Sequence, residues 1–184
     1  MKAGEALDGI EHLEGKTSLA VVFILLFVIP CLIGILGGVP IHAVLGFILS
    51  TFILQGFAPA AGKVLNFPDY LLIPFLASVA AGVILAIFWA CDIFHERSPW
   101  VARQIGKVND LMEQHEVLKS YGEYVLVPIM WVPGLGLYGT PVLAWILHWR
   151  STRSICLMLT GWLIACLVVL GLVEGILTLF FSKI

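Results

Sequence analysis

The sequence predicts an all-α integral membrane protein, with transmembrane helices and two re-entrant hairpins broken by glycine and proline, and three observations lead there. Hydrophobic residues make up 60% of the 184-residue chain and charged residues 12%, with a mean hydropathy of +1.04. Soluble domains average about 45–50% and about 25%. Between Lys16 and Lys63 lie 46 residues without a formal charge. As one helix they would reach about 69 Å, against a hydrocarbon core of about 30 Å, so the chain must fold back. Two apolar stretches carry helix breakers: "GGVP" at Gly37–Pro40, and "PIMWVPGLGLYGTPV" at Pro128–Val142 with three prolines and three glycines. Broken backbone survives at membrane depth only where protein or a water-filled cavity satisfies its free amides and carbonyls.

Taken in order, residues 1–17 place Leu7, Ile10 and Leu13 among four acids and predict an amphipathic segment. They lack the short apolar region and small-residue cleavage site of a removable signal peptide. Residues 18–91 form the first membrane half, a span, a re-entrant hairpin marked by Gly37, Gly38 and Pro40, and a second span over the apolar run Tyr70–Cys91. Two glycines weaken helix there, and a proline cannot donate to the preceding turn. Residues 92–123 hold ten charges, and Val101, Ile105, Val108 and Met112 recur at helical spacing, which predicts a cytoplasmic amphipathic helix. Residues 124–184 form the second half: a hairpin carrying Pro133, Gly134, Gly136, Gly139 and Pro141, the basic loop "HWRSTR", and a last span.

Lysine and arginine argue the topology, because short cytoplasmic loops carry their excess. If every apolar segment crosses fully, the ten basic residues divide five against five. If the segments after "GGVP" and around "PGLG" both return to the side they left, eight lie inside with the N-terminus and only Lys63 and Lys183 outside. With the first alone re-entrant the division is seven against three, so charge leaves the second dip open. Paired interrupted segments at corresponding positions of two halves point to an inverted repeat with a site where they meet.

A net charge of −2 without a basic run argues against nucleic acid as a partner. Membrane lipids are the expected partners, with a second copy or a subunit of a membrane complex as the protein partner. The four cysteines have no metal-ligand spacing and read as packing residues. No cofactor or metal is expected. Paired carboxylates, HExxH and GxSxG are all missing, so an enzyme is not expected either. Glu174 is the carboxylate inside the last apolar run, and an ionisable group there is a default candidate for a substrate or ion pathway; the alternative is a place near the far interface. His42 follows the first break and has a proton to exchange at a hairpin tip, or serves as a plain hydrogen-bonding residue. Arg150 and Arg153 stand at the mouth of the second hairpin, suited to anions, head groups or positive-inside anchoring. Trp131, Trp145, Trp149 and Trp162 read as interface-belt or lipid-facing residues.

The run "KSYGEYVLVPIMWVPGLGLYGTPVLAWIL", with the basic turn and apolar helix after it, resembles the closing half of the small multidrug export family. That family is distantly related to the DedA, or VTT, membrane proteins. Lys119, Tyr121, Gly122, Pro133, Gly134, Gly136, Gly139 and Arg150 occupy its motif positions, and Trp131 replaces the first proline of its Pro-x-Pro-Gly element. In the first half Gly37 and Pro40 match, while Gly34 and Leu36 stand where relatives carry an acid and an arginine. The resemblance implies a small transporter-like protein that moves or scrambles an amphipathic, lipid or drug-like molecule without ATP. It implies the plasma membrane of a prokaryote, with the N-terminus cytoplasmic. The missing acid and arginine favour the alternative, a non-catalytic accessory or structural subunit of a membrane complex.

Overall fold

The computed structural model describes residues 19–97, 122–132, 136–149 and 151–181, and among them there is helix and turn but no strand. Four stretches are long and apolar enough to cross a membrane: Leu19–Leu36, Ile41–Val64, Asp69–Phe94 and Thr152–Gly175. An all-helical chain with four such stretches has the make-up of an integral membrane protein.

Helix α1 (Leu19–Leu36) contains a π turn at Ile24–Val28, where the Ile29 N–H reaches back to the Ile24 carbonyl. The widened turn is satisfied from outside, since Ser78 of the neighbouring helix donates its hydroxyl to the Leu25 carbonyl at 2.7 Å. Gly82 allows that approach: a Cβ there would lie 2.6 Å from Leu26 Cγ. Helix α1 ends with Val39 N–H on Gly34 O at 2.9 Å and Gly38 N–H on Ile35 O at 3.0 Å. This double bond pattern needs a left-handed residue, and Gly38 supplies it at φ 73°. Pro40 then prevents the helix from resuming until Ile41.

Hydropathy treats Ile41–Val64 as one run, but the backbone divides it into α2 (Ile41–Leu54), a 3₁₀ turn at Gln55–Phe57, and α3 (Ala58–Val64). A straight helix would set Gly46 and Leu65 about 28 Å apart. They are instead neighbours at about 4 Å, and Gly62 faces the Phe47 ring with 2.9 Å between a built Cβ and Cζ. Helix α3 therefore runs back along α2. It ends like α1, with Phe67 N–H on Gly62 O and Asn66, at φ 54°, in the left-handed position. Asparagine tolerates that conformation better than most residues.

Helix α4 (Asp69–Arg97) follows and runs antiparallel to α1, so that Leu71 lies against Gly37 and Ser78 against Leu25. The rings of Phe47, Phe67 and Phe75 cluster at 4.6–5.0 Å between centroids and join α2, the α3–α4 turn and α4. Such ring pairs add about 0.5–1.5 kcal/mol each beyond area burial, which gives this junction more cohesion than aliphatic packing alone. Helix α4 is continuous past Cys91, so Asp92–Arg97 prolong the same helix.

The second half holds a 3₁₀ turn at Gly122–Val125, the single turn α5 (Leu126–Ile129), α6 (Gly136–Ile146) and the long α7 (Thr152–Phe181). The α5 turn runs beside α7 in the same direction: Ser151 donates to the Glu123 carboxylate at 3.0 Å, and Val127 lies against Gly161. Helix α6 comes back and closes with His148 at φ 56° and Trp149 N–H on Ala144 O at 2.9 Å. Trp145 donates its indole N–H to Asp92, near the end of α4, at 2.8 Å.

The bundle thus has two polar ends. Lys63 joins Asp69 and Glu174, the latter at 2.8 Å, at one; Glu123, Ser151 and Arg153 mark the other. From Arg153 to Glu174 helix α7 rises about 32 Å, which matches a hydrocarbon core of about 30 Å. The amphipathic segments assigned to 1–17 and to most of 92–123 lie outside the described residues, as do Pro133, Gly134 and Arg150.

Candidate functional site

Helix α2 ends at Leu54, and the last carbonyls of a helix have no intrahelical donor. In lipid such a group must be met by protein. The Phe52 carbonyl accepts the Tyr138 hydroxyl of α6 at 2.6 Å, a bond between residues 86 apart in sequence that ties the two halves together. At Gln55 the chain adopts φ 49°, ψ −114°, a conformation that side-chain-bearing residues rarely take and that costs about 1–3 kcal/mol. Strain of this size persists only where the surroundings enforce it, and here the surroundings are the turn of the opposite half.

That turn is built on Gly136. Its N–H bonds to Val132 O at 2.9 Å, and any Cβ on it would overlap the Met130 carbonyl oxygen. A glycine is required for this close approach.

Between the two turns lies a cavity of about 390 Å³, walled by Gln55 and Phe57 on one side, Met130 and Trp131 on the other, and Trp162 and Ala165 of α7 behind. Its volume falls within the range of about 300–1,000 Å³ typical of small-molecule sites. The α7 wall, Trp162 to Val169, lies between the ends marked by Arg153 and Glu174, which puts the cavity at mid-length of the span. Ile53, Phe57 and Trp131 are 77%, 57% and 46% exposed, so the rim opens onto the lipid-facing surface. None of the described lining residues carries an ionisable side chain. Hydrogen-bonding capacity comes instead from the Gln55 carboxamide and two indoles. Among the described residues, the buried atoms Trp162 Nε1 and Thr140 Oγ1 lack a partner, and Trp162 lines the cavity.

Glu174 is half-exposed at a polar end, paired to Lys63, and does not line the cavity. His42 lies exposed in the first turn of α2, at the joint with α1 rather than at the far turn. Arg153 sits over the Tyr124 ring, 4.8 Å from its centroid, and donates to its hydroxyl. Gly37, Gly38 and Pro40 form the joint, and the far turn falls seventeen residues beyond Gly38, at Gln55. Gly136 is buried at the second turn, Pro141 is buried within α6 and Gly139 is half-buried beside it. Trp145 and Trp162 are 9% and 1% exposed, so both correct the lipid-facing expectation; each fills space between helices.

Sequence reasoning missed Gln55 and Tyr138, and it gave Trp162 a belt or lipid-facing place. The "LQGFAP" context held a signal for the first, a lone amide before a glycine in an apolar run; nothing in sequence marked Tyr138 as a partner of Phe52. Compared with protein-family profiles, with curated proteins and with solved structures, the chain matches none.

Replacing Tyr138 by phenylalanine is expected to destabilise the protein by about 1 kcal/mol. Interhelical hydrogen bonds in membranes average about 0.6 kcal/mol, whereas an orphaned buried acceptor costs about 1–3 kcal/mol. Unfolding in mixed micelles measures the difference, and a value near zero would mean that another donor takes over the Phe52 carbonyl.

Proposed function

We propose that the protein is a small ATP-independent membrane transporter that moves or scrambles an amphipathic molecule through the cavity between two re-entrant hairpins. In this reading α2–α3 enters from the side of Lys63 and returns to it, and the segment from Tyr124 to Leu147 does the same from the opposite side. The two make a pseudo inverted repeat, with the broken helices meeting at the midplane. The observation that carries the reading is the shared cavity, lined by both turns at mid-length of α7. The lysine and arginine division of eight against two supports the same arrangement, with the N-terminus cytoplasmic; the plasma membrane of a prokaryote is what the family resemblance implies. The resemblance to the small multidrug export family, carried among the described residues by Gly122, Gly136 and Gly139, points the same way.

The described lining residues carry no charge, which favours a second reading, an accessory subunit whose hairpins survive as a scaffold. Liposomes separate the two. With a head-group-labelled lipid in both leaflets, an impermeant reductant bleaches about half the label in protein-free vesicles; the transporter reading expects nearly complete bleaching once protein is present. Bleaching that stays at the protein-free level, with stoichiometric co-purification of another membrane subunit, overturns it in favour of the scaffold.

A further inference from the structure

We infer that Arg153 and Tyr124 form a docking point for the phosphate of an anionic membrane phospholipid, at the end of the bundle opposite Lys63. The inference goes beyond the transport reading and does not depend on it.

The two polar ends treat their cations differently. Lys63 lies between the carboxylates of Asp69 and Glu174, so its charge is already matched. Arg153 is exposed; its guanidinium lies over the Tyr124 ring, 4.8 Å from the centroid, and donates to the Tyr124 hydroxyl. Among the described residues it forms no ion pair with a carboxylate. Glu123, next to Tyr124 in sequence, accepts the Ser151 hydroxyl at 3.0 Å instead.

What the pair offers is a set of donors. A guanidinium has N–H groups left over after one is used on Tyr124, and a phenol that accepts a hydrogen bond keeps its own proton to donate. The complement is a group that only accepts and carries negative charge, and a phosphodiester is such a group. Stacking on the ring restricts the Arg153 side chain beforehand, so less freedom is lost when a phosphate arrives.

Local structure holds the two residues together before any lipid binds. The Ser151 hydroxyl accepts the Ser154 N–H at 3.0 Å, which caps the first turn of α7, and donates to Glu123, which fixes the Tyr124 segment against that turn. Tyr124 remains 56% exposed. The depth fits as well. Arg153 stands about 32 Å of helix from Glu174, at the opposite edge of a hydrocarbon core of about 30 Å, where the phosphates of one leaflet lie.

The probes are dioleoyl phosphatidylglycerol, dioleoylglycerol, which has the same chains and no phosphate, and inorganic phosphate. Each is titrated onto the full chain in detergent and quantified by native mass spectrometry. Phosphatidylglycerol is expected to bind about tenfold tighter than dioleoylglycerol, as one charge-assisted hydrogen bond provides. Inorganic phosphate at the same concentration should not displace it. Arg153→Gln should remove the preference, and Arg153→Lys should restore only part of it, because an ammonium keeps the charge without the stacked planar fork. Tyr124→Phe keeps the ring, loses the hydroxyl and should weaken phosphatidylglycerol about threefold. Lys63→Gln, at the other end, should leave the preference intact.

Equal affinity of the wild-type chain for phosphatidylglycerol and dioleoylglycerol overturns the proposal, and that comparison needs no variant to fold. So do an undiminished preference in Arg153→Gln, unchanged affinity in Tyr124→Phe, or equal losses in Lys63→Gln and Arg153→Gln. Full recovery in Arg153→Lys would reduce the site to net charge, and displacement by inorganic phosphate would make it a site for a free ion; either also overturns it. Scrambling is not a readout here, so the failure of one reading leaves the other standing.

Discussion

Replacing Ala165 by tryptophan is expected to reduce lipid scrambling at least tenfold while leaving the protein folded. Ala165 is half-buried in the α7 wall of the cavity, which residues of the Gln55 turn and of the segment before Gly136 also line. In a close-packed core, inserting so large a side chain would cost about 1–3 kcal/mol or more. A space of about 390 Å³ gives the indole room, and its new dispersion contacts offset part of any strain. Ile164→Trp, one residue away and 40% exposed outside the lining, is the matched control and should leave the rate unchanged. The comparison is read as initial scrambling rates in proteoliposomes, with thermal unfolding in detergent as the check on folding. A full rate in Ala165→Trp, or an equal loss in both variants, would show that substrate passes elsewhere.

Gly136→Val should have the opposite signature, a loss of stability of about 3 kcal/mol with function lost in consequence. The obstacle is the Met130 carbonyl oxygen, part of the backbone of the same turn, which cannot rotate aside as a side chain does. Overpacking of this kind typically costs about 1–3 kcal/mol, and the absence of a flexible neighbour sets the expectation at the upper end. Gly171→Val supplies the contrast, because a Cβ at Gly171 meets nothing within 4 Å. It should be neutral in the same denaturant series. If the two variants unfold alike, the tight approach at Gly136 does not hold the second turn together.

Composition made the class of the protein legible, because 60% hydrophobic and 12% charged residues lie far from the averages of soluble domains. The joint at Gly38 and Pro40 was legible as well, since glycine in a left-handed position followed by proline is how helices end. What hydropathy could not give was the place of the turn within Ile41–Val64. Leu54 and Phe57 flank Gln55 and Gly56, so the window average stays apolar across a backbone that reverses.

Side-chain partners were less legible still. Lys63 meets Glu174, Asp92 meets Trp145 and Tyr138 meets Phe52 only after the chain has folded, across 53 residues or more in each case. A carboxylate in an apolar run reads as a pathway candidate, and only the fold shows that Glu174 is paired with Lys63 at one end of the bundle. Trp162 reads as a lipid-facing aromatic until the helices around it close. The candidate site emerged from geometry because its described lining consists of backbone turns, one carboxamide, two indoles and apolar side chains rather than ionisable residues that stand out in a sequence.

The central claim, that the two halves fold back from opposite faces and meet in the middle, is tested most directly by single-cysteine labelling in oriented membrane vesicles, with the four native cysteines replaced. Leu36→Cys and Val64→Cys, both over 80% exposed, flank the first fold-back. They should react with an impermeant thiol reagent from one side of the membrane. Asn109→Cys and Thr152→Cys, on the two flanks of the second, should both react from the other side. Labelling of Leu36→Cys and Val64→Cys from opposite sides would make Ile41–Val64 a true span. Labelling of Asn109→Cys and Thr152→Cys from opposite sides would do the same for the second segment, and either result would contradict the account.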